Sequence, residues 1–159
     1  MVRNRLLVAR LVLGVSLVAA GALGAGPAEA AAAPPSKGAL AKRFTTITND
    51  VNTGGSKFIY LTTAMIKDEA SGAKIYQLAA HPFITVLELA DRSLLAMGAS
   101  GPAKQTLLTL VKLDRKTISE LRKIQHDSAS KIPAWQSALS NDAAATAMTA
   151  IKLRAQLAG

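Results

Sequence analysis

Residues 52–57 read NTGGSK, and whether a helix stops there or runs through decides how many helices this chain has. Upstream, Leu40, Phe44, Ile47 and Val51 step by four, three and four, one apolar stripe on a helix. Downstream, Phe58, Leu61, Thr62, Met65 and Ile66 share one helical face. Glycine is a poor helix former and the usual residue just past a helix end, while Ser56 suits the cap of a new one. The spacing therefore predicts a stop at Asn52–Gly55, a restart at Ser56, and a turn at Ser71–Gly72.

The remaining arms read more simply. Tyr76, Ala79, Phe83, Val86, Leu87, Ala90, Leu94 and Met97 lie in one narrow arc of a third arm, which Gly98–Pro102 closes. Leu107, Leu110, Leu113, Ile118, Leu121 and Ile124 stripe the fourth arm. After a turn at Asp127–Pro133 come Trp135, Leu139, Ala143, Thr146, Ala150, Leu153 and Leu157. No alternating strand pattern and no Asn-Gly or Asp-Gly hairpin signal occurs. Arms of similar length joined by short loops must run antiparallel. The reading is all-α: an up-down four-helix bundle with a broken first arm, a five-helix array being the alternative, in a single domain over 39–159.

Inside the third arm, Pro82 in YQLAAHPF (76–83) predicts a kink or restart, because its ring collides with the Leu78 carbonyl. On a helical wheel Tyr76 lies within about 20° of Phe83, while His81 points about 140° away from Tyr76. Tyr76 is then a core residue and His81 an outward one.

Ahead of the domain, Arg3, Arg5 and Arg10 precede an apolar run from Leu11 to Gly26, and Ala28-Glu29-Ala30 has the small-x-small pattern of a cleavage site. Residues 1–30 read as a signal peptide and 31–38 as a disordered tether. The protein is then secreted, with association to the cell wall as a further expectation. Cysteine is absent, so stability must come from burial without disulfides. Removing three arginines and one glutamate leaves 16 basic and 9 acidic side chains, a charge of +7. Such a basic balance favours anionic partners.

Most catalytic chemistry is excluded. Neither histidine has a glutamate three residues upstream, so the di-iron pattern of helical bundles is missing, and a cysteine-free chain with two distant histidines does not make structural zinc. No Gly-x-Ser-x-Gly elbow occurs, and Gly54-Gly55-Ser56-Lys57 lacks the first glycine of a phosphate loop. Haem ligation would draw on Tyr60, Tyr76, His81 or His126, of which no two share a face at ligand spacing. Nucleic-acid binding is disfavoured by six aromatics that sit mostly on core stripes.

Two features stand out. Lys104, Lys112, Arg115, Lys116, Arg122 and Lys123 fall in one outer arc of about 120° on the fourth arm, suited to an anionic cell-envelope polymer or an acidic protein. Asp114 falls within about 40° of the core line of that arm, where an unpaired carboxylate is expensive. Folding the arms back through their loops predicts that it accepts a hydrogen bond from Thr146 and faces Lys57 or the helix end that restarts after Gly54-Gly55.

The functional reading is a secreted, non-catalytic binding protein without cofactor or metal, docking through the basic face. The alternative is a carrier of a small apolar or haem-like ligand, with its pocket between the helices near Pro82. The two differ in one respect: a carrier needs an apolar cavity, a docking module a filled core.

Overall fold

NTGGSK does not stop a helix. In the computed structural model, which describes residues 35–64 and 69–158, helix α1 runs unbroken from Lys37 to Ala64. The reason lies on the neighbouring helix, α2 (Glu69–Leu95). A Cβ on Gly54 would stand 3.1 Å from Val86 Cγ1, and one on Gly55 3.5 Å from Phe83. The paired glycines are where α2 seats two large side chains directly on the backbone of α1. Packing outweighs the loss in helix propensity, about 1 kcal/mol for each glycine.

The chain continues as α3 (Gly101–Ile124), a short 3-10 turn (Ala129–Lys131) and α4 (Ile132–Ala158). These four helices pack against each other as a bundle, and no strand occurs among the described residues. The five-helix alternative falls with the continuous α1. Ser36 opens that helix by accepting from the Ala39 amide at 3.3 Å, so the tether ends at Ser36 and not at Gly38. At the other end, α1 stops at Ala64 and α2 starts at Glu69, which places Ser71–Gly72 inside a helix. The expected signal peptide and the first residues of the tether lie outside the described residues.

Helix α2 also passes Pro82 without a restart. Pro82 and Leu78 are both exposed, so the carbonyl deprived of its partner belongs to the solvent side of the helix. Tyr76 is buried and His81 exposed, as the wheel requires. Gly98 takes the left-handed conformation (φ 72°) where α2 ends, and Pro102 sits in the first turn of α3. The α3–α4 turn is fixed by Asp127: its carboxylate accepts from Trp135 Nε1 at 3.0 Å and its carbonyl from Gln77 Nε2 at 3.1 Å.

Two apolar clusters fill the bundle. One, at the end bearing the α3–α4 turn, gathers Phe58, Tyr76, Ile84, Leu87, Leu121 and Trp135. The other gathers Leu40, Phe44, Leu94, Met97, Leu107, Leu153 and Leu157, and holds the first turns of α1 to the last turns of α4. Among the described residues no helix is long and apolar enough to cross a membrane.

Candidate functional site

Between the two clusters the seam of α1 against α4 does not close. On α1 the residues facing it are Thr48, Val51, Asn52 and Gly55; on α4 they are Ala143, Thr146, Ala147 and Ala150. Side chains this small cannot span the interhelical space, and a cavity of about 460 Å³ remains. That is within the range of roughly 300–1,000 Å³ usual for small-molecule sites. Asn52, Ala147 and Ile151 line it and are themselves exposed, so it reaches solvent along the seam.

The inner wall is aromatic. Phe58 stacks on Phe83 at 5.5 Å between ring centres, and meets Tyr76 edge-on at 5.9 Å. Tyr76 in turn leans on Trp135 at 5.7 Å. Its hydroxyl accepts from Gln136 Nε2 at 3.1 Å, and burial pushes its ionisation above the ordinary tyrosine range. Phe83 faces the cavity because it follows Pro82 on the side of α2 that rests on Gly55.

Asp114 lines the same cavity from α3 and is 4 % exposed. It occupies the buried stripe of α3, one helical turn from Leu110 and one from Ile118. Burial, and secondly the negative charge of Asp91, push its carboxyl up to about 7 from 3.8. Among the described residues no cation or hydrogen-bond donor meets it. Thr146 shares the cavity wall, as the folding-back argument expects, but its buried hydroxyl has no partner and does not bond Asp114. Lys57 is exposed and takes no part. The polar core thus reduces to two unpartnered groups, Asp114 and Thr146, bordering one apolar space.

The other two buried aspartates have cations. Asp91 on α2 meets Arg115 Nε at 3.4 Å, and burial raises its carboxyl while that arginine counteracts the rise. Asp142 on α4 meets Lys116 Nζ at 2.6 Å. Arg122 bonds Glu88 at 2.6 Å and Lys123 bonds Glu120 at 2.7 Å. Four members of the basic arc are therefore drawn into ion pairs, mostly by carboxylates on the flanking helices. A wheel of one helix cannot reveal such partners. Lys104 and Lys112 are exposed and meet no carboxylate among the described residues.

Of the four haem-ligand candidates, only Tyr76 lines the cavity; Tyr60, His81 and His126 are exposed on the outside. The described residues hold no cluster of three metal-ligating side chains. The stripe of α4 counts Ala143, Thr146 and Ala150 as core without weighing their size, although residues 143–147, four alanines around Thr146, are a visible signal that α4 is thin at its middle. Comparison of the chain with protein-family models, with curated proteins and with solved structures finds no match.

Proposed function

We propose that this protein is an exported, non-catalytic carrier of a small, mainly apolar ligand held in the α1–α4 cavity. The observation that carries the reading is the cavity itself: about 460 Å³, with an aromatic inner wall and a surface that is mainly apolar. Apolar space of that size reaching solvent is costly to keep unless something binds there. Export rests on the leader pattern of residues 1–30. Docking through the basic face has less support, since Arg115, Lys116, Arg122 and Lys123 are engaged within the protein.

The test is a cavity-filling substitution. Ala147→Phe places a ring in the seam from an exposed position, where the helix itself tolerates it. Wild-type protein is expected to bind a fluorescent apolar dye stoichiometrically, and Ala147→Phe to lose that binding while unfolding at an unchanged urea concentration. Equal dye binding by both proteins would overturn the carrier reading.

A further inference from the structure

The shape of the cavity and the two polar groups on its wall that lack a partner, Asp114 and Thr146, narrow the ligand class. On α4 the lining extends from Gln136 to Arg154, 18 residues or about 27 Å at helical rise. On α1 it extends from Thr48 to Thr62, 14 residues or about 21 Å. A trough this long suits a chain-like molecule better than a compact one. Asp114 faces it from α3, and Thr146 from α4.

Resting on the carrier reading, we propose that the ligand is a cationic amphiphile, its apolar chain along the α1–α4 seam and its protonated amine against Asp114 and Thr146. Three observations carry this. Asp91, Asp114 and Asp142 are all buried, and Arg115 and Lys116 neutralise the first and the last, but among the described residues no side chain neutralises Asp114. The Thr146 hydroxyl is buried without a partner and offers two lone pairs to an ammonium. The rings of Phe58, Tyr76 and Phe83 border the same space, and their faces attract cations as well as alkyl chains. A ligand carboxylate would instead add a negative charge to a site already bordered by Asp114 and influenced by Asp91. Among the described residues the lining cation is Arg154, eight residues beyond Thr146 on α4 and about 12 Å away along the axis.

Ionisation of Asp114 then governs binding. The groups facing it or the cavity are Asp91, paired with Arg115, and Tyr76 from α2, and Arg154 from α4; α1 lends the cavity only uncharged side chains. An ammonium beside Asp114 favours its charged form, so amine affinity rises as pH passes upward through about 7.

The experiment compares dodecylamine, dodecanol and dodecanoic acid below their micelle concentrations, by calorimetry and by the fluorescence of Trp135, the single tryptophan. At pH 8 the amine is expected to bind at least about tenfold tighter than the alcohol, the factor one charge-assisted hydrogen bond supplies. Asp114→Asn should abolish the preference for amine over alcohol. Should that variant not fold, wild-type protein decides: the preference for amine must shrink at pH 5. Alcohol and amine binding equally at both pH values would overturn the amine assignment and spare the carrier reading. Tighter binding of the acid than of the amine would overturn it in favour of Arg154. Binding of none of the three would overturn the carrier reading as well.

Discussion

The seam between α3 and α4 and the seam between α1 and α4 use the same final helix and end differently. Toward α3, α4 presents Trp135, Asp142 and Leu153, each buried, with Lys116 reaching over to close an ion pair. Toward the middle of α1 it presents alanines and threonine, and α1 answers with Thr48, Asn52 and Gly55. One helix can therefore be sealed on one flank and open on the other without any change in its regularity. Openness here is a matter of side-chain volume, and the aromatic cluster of Phe58 and Tyr76 forms its inner wall.

The strongest test of that contrast is truncation on either side of it. Phe44→Ala, in the filled cluster at 1 % exposure, should cost about 3–5 kcal/mol in urea denaturation. Val51→Ala, whose side chain borders the cavity, should cost only about 1–2 kcal/mol, because no new void is created. Equal costs would mean that the middle layer is as well packed as the ends.

A second test uses pH. The Asp114 carboxyl is raised from 3.8 to about 7 in the folded state, so between those values the folded protein binds a proton that the unfolded chain has released. Stability should therefore fall as pH rises from about 4 to about 7, by a few kcal/mol at most, and level off above. Asp91, raised in the same direction, adds to the fall. Asp114→Asn should remove most of the slope and leave the variant more stable than wild type at pH 8. A stability curve that rises across that window would place Asp114 in contact with a cation, contrary to the geometry.

The smallest expected effect separates two adjacent glycines. Gly55→Ala meets Phe83 at ordinary contact distance and should gain roughly 0.5–1 kcal/mol of helix propensity. Gly54→Ala presses on Val86 at 3.1 Å, and a β-branched side chain on a helix has little rotamer freedom to yield. It should lower stability by about 1 kcal/mol despite the same propensity gain. Thermal melts of the two variants shifting in the same direction would show that α2 can slide away from α1.

These cases also explain what the amino-acid sequence discloses. Helical order, burial of Tyr76, exposure of His81 and the near-core placement of Asp114 are legible because each depends on periodicity along one helix. The glycine pair and Ser71–Gly72 mislead because local propensity favours a stop, whereas a neighbouring helix decides otherwise. The cavity is not legible, since it depends on small residues of α1 meeting small residues of α4 at one height. The ion pairs of Arg115, Lys116 and Arg122 escape for the same reason, their acids lying on other helices.

Helices α1 and α4 are the first and last of the bundle, so no loop joins them across the open seam. The contacts of Leu40 and Phe44 with the Leu153–Leu157 cluster hold their outer ends together through side chains alone. Each pair consecutive in the chain is tethered by a few residues, which limits how far it can part. Separation along this one line strains no backbone, so what holds it shut is a noncovalent latch rather than the covalent frame of the fold.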